Sequence, residues 1–242
     1  RRGSPEGGHR EVRGKMNEKA MSNFAWGEPK THMAAVVAAL KTVYPTAVCA
    51  LESGNDPYRL LVMGRLSAQC TDARVNIVCR ELFARYPTAA DLAAADLPEV
   101  EAIVRPCGLF RVKAQNIVDA SRMLVSEYGG VMPSDMEELL RFPGVGRKIA
   151  NLLRGDLFGL PAIVADTHCI RICGRLGFYP EKEKDPVKVE RILSAVTEPA
   201  EQSDLCHRLV QFGRDVCMAR APRCEGCPLS ALCAAQNAGG AG

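Results

Sequence analysis

No apolar run in the chain approaches the ~20 residues that a bilayer-spanning helix needs, so nothing in it reads as a membrane segment. Missing too is a charged start leading into an apolar stretch and a small-residue cleavage site, which argues against secretion. No alternating two- or three-strand pattern competes with the helical periodicity, so strands have little claim on the sequence. The short β-branched piece at Pro161 to Val164 reads as a connector. No repeat recurs at a solenoid period. Charge of one sign is nearly balanced: a net +3 permits a basic face and excludes a strongly acidic protein, but is too small to establish nucleic-acid binding.

What is present is ordinary in bulk. At 242 residues, 47% hydrophobic and 24% charged, the chain has material for one large domain or two small ones. Its eleven cysteines make an odd count. Seven of them, Cys49, Cys70, Cys79, Cys107, Cys169, Cys173 and Cys206, are scattered through helical sequence, the usage of small core residues in a reducing compartment. A cytoplasmic protein is expected.

Start and stop signals lay out an all-α chain. The first fifteen residues read as a disordered leader, with Met16 or Met21 as alternative starts, and the leader is taken to extend to 27. Thr31 to Val43 is a first helix capped by Thr31 and stopped near Pro45. Asp56 before Pro57, and Thr71, open the next two, the second ending at Pro87. Thr88 and Leu97 begin short segments, and Lys113 to Tyr128 forms a longer one closed by Gly129-Gly130. Ser134 with Glu137 three residues on is a capping-box pattern. Helices follow over Thr167 to Leu176, Pro186 to Val196 and Ser203 to Val216, and 236–242 reads as a frayed end.

Two local sequences carry chemistry. Cys217, Cys224, Cys227 and Cys233 form a C-x6-C-x2-C-x5-C run inside seventeen residues, so four thiolates can face one point. Only Cys224 and Cys227 make the short knuckle typical of structural zinc; the wider spacing of the others favours an iron–sulfur cluster, with zinc open as the alternative. In LLRFPGVGRKIANLL, 139–153, two helical stretches flank Pro143-Gly144-Val145-Gly146. Such a turn exposes backbone N–H groups that, with the next helix N-terminus, suit a phosphate oxygen. Gly144, Val145, Gly146 and Arg147 are therefore candidate contacts to a nucleic-acid backbone. Lys148 stands in the first turn of the following helix, where partial positive charge favours a neutral, nucleophilic amine able to form a Schiff base. Asp166, before Thr167 and His168, reads either as a plain helix cap or as a carboxylate that stabilises positive charge in a cleft. His168 is read as packing.

LSAQCTD (66–72), CGLF (107–110), FPGVGRK (142–148), VADTH (164–168) and the cysteine run, in this order, resemble the endonuclease III family of DNA glycosylases over roughly residues 30 to 235. The resemblance implies an all-α helix-hairpin-helix protein of two helical domains with a DNA cleft between them. One domain spans 50–160 and carries the hairpin at about 134–155; the other joins 28–49 to 161–235 and holds a [4Fe-4S] cluster on the four cysteines. It implies excision of oxidised pyrimidines flipped out of duplex DNA, then strand cleavage at the abasic site, by a monomer acting on double-stranded DNA. Lys148 would attack C1′ and Asp166 would stabilise the developing charge. Gln69 would fill the space of the flipped nucleotide and Leu109 would wedge the duplex open. Arg220 and Arg223, on the loop between Cys217 and Cys224, are expected on phosphates. The alternatives are a monofunctional glycosylase of the same superfamily, which generally lacks the lysine, and a non-catalytic DNA-binding protein that uses its cluster as a sensor. The chain departs from the family pattern in Ala165 before Asp166, Cys70 after Gln69 and Phe110 beside Leu109, and Arg65 has no evident family role.

Overall fold

Residues 27–237 are described by a computed structural model of the chain. The leader ahead of Gly27, with Met16 and Met21, and the residues after 237 lie outside the described residues. Twelve α-helices and three single 3₁₀ turns make up the regular structure, and no strand occurs, among the described residues. None of these helices is long and apolar enough to cross a membrane.

Local chemistry sets most helix starts. Asp56 accepts the Arg59 N–H at 2.9 Å and opens α2, Pro57–Leu66. Thr71 opens α3, Asp72–Arg85. A reciprocal capping box of Thr88 and Asp91 starts α4, Ala89–Ala93. Proline at the start of α5, Leu97–Val104, and of α10, Pro186–Val196, supplies a preset φ. The first helix, α1, runs Pro29–Val43 with Glu28 at the cap position, so Thr31 lies inside its first turn: Pro29 initiates earlier than the threonine would. Helix α6, Phe110–Ser126, begins three residues before the expected Lys113. The start of α7, Met136–Leu140, is set by Asp135, not Ser134; its Oδ1 accepts from the N–H groups of Glu137 and Glu138 at 2.8 and 3.1 Å. Helices α8, Arg147–Phe158, α9, Thr167–Arg175, and α11, Gln202–Asp215, complete the frame. Residues Ala234–Asn237, which overlap the start of the expected frayed end, form a short α12.

The apolar faces converge on two cores. One gathers Leu60, Leu61 and Leu66 of α2, Leu82 of α3, Ile117 and Leu124 of α6, Phe142 and Leu153. The other gathers Met33 and Leu40 of α1, Ile163, Ile172 and Cys173, with Leu193, Leu209, Phe212 and Leu229. Helix α8 stands between them, and its Leu152 packs against both. Polar contacts cross the same seam: Arg147 with Glu190, His207 Nε2 with Asp156 Oδ1 at 2.7 Å, and Arg214 with Asp72.

The seam also requires a missing side chain. A Cβ on Gly155 of α8 would lie 2.5 Å from Ser203 Oγ and 2.9 Å from Ser203 Cβ of α11. Gly155→Ala is therefore expected to lower the unfolding free energy by about 1–3 kcal/mol through overpacking, measured by urea unfolding. A gain of the roughly 1 kcal/mol that helix propensity alone offers would show that the two helices do not approach this closely.

Candidate active site

The hairpin is built from α7, a turn and α8. Leu139, Phe142 and Val145 are buried in the first core, and the Val145 N–H donates to Phe142 O at 3.0 Å. That N–H is spent within the turn, so the groups left for a ligand are those of Gly144, Gly146 and the first turn of α8. Gly144 has φ +76, and a Cβ there would meet Arg65 Nε at 2.4 Å and Asn116 Oδ1 at 2.7 Å. Arg65, which has no reading from sequence, thus braces the turn from below, its Nε donating to Asn116 Oδ1 at 2.9 Å. Burial lowers the Arg65 pKa from its ordinary value. Arg147, beside the turn, is held by Glu190, with Nε donating at 3.0 Å.

Lys148, second residue of α8, is exposed and lines a small pocket of about 70 Å³ together with Asp166, Ser67, Asp72, Cys49 and His207. Asp166 closes the irregular connector 159–166 and caps α9, its Oδ1 accepting the Cys169 N–H at 2.7 Å. Asp166 is therefore a helix cap that also lines the pocket. His168 is half-buried against α11: a Cβ on Gly213 would come within 2.3 Å of its Nδ1, and burial, the largest cause, lowers its pKa. Cys49 and His207 of the pocket wall meet Asp156 just behind it, a grouping that no sequence motif could have announced. Burial first, and then Asp156, push the Cys49 thiol up to about 12.

Two residues protrude on strained backbone. Gln69 is exposed at φ 55 and Leu109 at φ 47, both in the left-handed region that non-glycine residues rarely adopt. Leu109 is 60% exposed and belongs to neither core. Beside it the Phe110 ring lies under the guanidinium groups of Arg105 and Arg111, at 5.1 and 5.5 Å.

Cys217, Cys224, Cys227 and Cys233 line one cavity of about 220 Å³ whose other walls include Ile172, Phe212 and Leu229. Four sulfur donors on one apolar-walled cavity, none in a disulfide, suit a thiolate-ligated iron–sulfur cluster. The loop that carries them is tied to α9. Arg171 Nη2 donates to Cys217 O at 2.9 Å, and Arg175 Nη1 donates to Met218 O at 2.8 Å and approaches Cys217 Sγ at 3.3 Å. Arg220 and Arg223 are exposed on this loop, Arg223 Nη1 also reaching Asp215 O at 3.3 Å.

Comparison with known proteins accounts for this arrangement. Residues 62–199 match the model of the HhH-GPD superfamily base excision DNA repair proteins, and 217–233 match the iron-sulfur binding domain of endonuclease III. Endonuclease III of Bacillus subtilis (strain 168) is 44% identical over 191 residues, covering 79% of this chain and 86% of its own. That of Escherichia coli (strain K12) is 38% identical over 180 residues, covering 74% and 84%. The chain belongs to the endonuclease III family. A solved non-covalent endonuclease III–DNA complex superposes with a TM-score of 0.80 at 40% identity, over 86% of this chain and 97% of that one. A trapped endonuclease III–DNA covalent intermediate matches equally. A thermostable thymine-DNA glycosylase shares the fold, with a TM-score of 0.78 at 21% identity. Family membership brings with it base excision repair, the paired glycosylase and abasic-site lyase activities, and the [4Fe-4S] cluster.

Capping by Asp166 and any contribution of its carboxylate to turnover can be separated. Asp166→Ala is expected to cost about 1 kcal/mol of stability through the lost cap, while Asp166→Ser, which retains a capping oxygen, stays close to the parent in urea unfolding. Both are expected to lose roughly 100-fold or more in turnover on damaged duplex. Full activity in Asp166→Ser would show that the carboxylate serves the helix alone.

Proposed function

We propose that Lys148 is the nucleophile and Asp166 the charge-stabilising carboxylate of a glycosylase and lyase acting on oxidised pyrimidines in duplex DNA. The observation that carries this reading is that both side chains line one pocket, each fixed at the start of its helix. The Lys148 Nζ bonds to C1′ as the glycosidic bond breaks, and its electron pair leaves with the base, which takes up a proton. Asp166 offsets the positive charge that develops on the sugar and receives the proton the amine gives up. Opening of the sugar ring leaves a Schiff base between Lys148 and C1′. Loss of a C2′ proton then expels the 3′ phosphate, cutting the strand.

The rest of the surface is read as the DNA grip. The N–H groups of Gly144, Gly146 and the start of α8 hold a phosphate. Val145 contributes by packing the turn, and Arg147 contributes less than a free guanidinium would, since Glu190 already engages it. Leu109 enters the stack and Gln69 takes the place of the extruded nucleotide. Cys217, Cys224, Cys227 and Cys233 ligate the cluster, which shapes the loop that offers Arg220 and Arg223 to phosphates. The cleft lies between a domain of residues 50–160 and one of 28–49 with 161–235. The protein acts as a monomer in the cytoplasm.

Borohydride reduction during incubation with abasic or thymine-glycol duplex is expected to trap a covalent protein–DNA adduct, absent in Lys148→Ala. A folded, cluster-loaded parent protein that gives no adduct would sink the mechanism. Replacing Arg220 and Arg223 together by alanine is expected to lower the slope of log affinity against log salt by about 2, close to 0.9 for each phosphate no longer neutralised. An unchanged slope removes both arginines from the interface.

A further inference from the structure

Lys113, in the second turn of α6, is fully buried at 0% exposure. Its Nζ donates to Leu66 O and to Cys107 O, each at 2.8 Å. Leu66 closes α2, so its carbonyl is among those left without an intrahelical partner, at the end of the helix that favours a cation. Cys107 ends the 3₁₀ turn Arg105–Cys107 that feeds Gly108 and Leu109. Gln69 follows Leu66 by three residues and Leu109 follows Cys107 by two, and both hold left-handed φ values that persist only where the surroundings over-determine them. A buried ammonium is costly unless hydrogen-bonded, and an apolar side chain would fill the same space without that cost. What the amine provides that a methionine would not is a link between two backbones 47 residues and 6 residues away in sequence.

We propose that Lys113 is a positioning residue that fixes the Gln69 and Leu109 loops at one spacing, so that both enter the duplex as a single unit. This rests on the reading of Leu109 as wedge and Gln69 as filler given above. Lys113 touches neither DNA nor the reacting atoms; it acts through the two carbonyls.

The test compares the full-length, cluster-loaded parent with Lys113→Met, Leu109→Ala and the double variant, with Lys113→Gln as a milder substitute should the methionine variant fail to fold. Three readouts are taken: 2-aminopurine fluorescence beside the lesion, single-turnover excision from duplex and from single-stranded DNA, and amide hydrogen exchange. The Lys113 variant is expected to lose the fluorescence rise and about tenfold or more of the duplex rate, to keep its single-strand rate, and to add little to Leu109→Ala, because the two act as one coupled unit. Exchange is expected to rise together at 67–71 and 107–110 while the rest of α2 and α6 stays protected. A Lys113 variant with parental fluorescence and duplex rate overturns the proposal, as does exchange that rises evenly through both helices. Failure of both substitutions to fold overturns it too, since Lys113 would then serve the fold as a whole. If Leu109→Ala itself leaves fluorescence and duplex rate unchanged, the wedge reading fails, and the exchange pattern alone decides whether Lys113 links the loops.

Discussion

The start of α9 has N–H groups that no helical carbonyl can reach, and Asp166 supplies the acceptor. Much of the molecule is organised around that bond. It fixes the carboxylate on the wall of the pocket that Lys148 also lines. Two turns further on, Arg171 and Arg175 of the same helix hold the carbonyls of Cys217, Met218 and Ala219. One nine-residue helix therefore joins Asp166 of the pocket to the loop that carries the cysteines.

The division of labour between rigid and strained backbone follows from what each part must do. Lys148 and Asp166 sit at ordinary helix starts, neither at a left-handed φ, and a hydrogen bond fixes Asp166. Gln69 and Leu109 sit at left-handed positions outside any helix interior, on loops that project from the first core. An exposed leucine on a strained turn gains nothing in the free protein, and its conformation is held by its neighbours on either side, Cys107 in the core and Phe110 under two arginines.

Much of this was legible in the sequence, and the limits of legibility have physical causes. Helix starts at Asp56 and Thr71 were readable because a short polar side chain before an apolar run supplies an acceptor for the free N–H groups, whereas Asp166 admitted a second reading. The capping-box pattern pointed to Ser134, but the neighbouring Asp135 is an equally good cap, and its carboxylate won. Lys148 and the four cysteines stood out because their spacing is itself the signal. Arg65 and Lys113 did not: a charge inside an apolar helix looks like an irregularity until partners far along the chain, Asn116 for one and Leu66 for the other, arrive beside it. Cys49, Asp156 and His207, which meet beside the Lys148 pocket, come from three distant segments, and no local pattern specifies their meeting. Nor could periodicity show that the chain builds two cores, since a helix reads as amphipathic whichever partner covers it.

Leu152 has a consequence beyond packing. Because it belongs to both cores, α8 cannot keep its packing when either core melts. The helix that loses its support is the one that carries Lys148. Local opening in most proteins leaves some units folded while others come apart. Here Lys148 stands on the shared piece, so the pocket it lines with Asp166 depends on both halves of the fold at once.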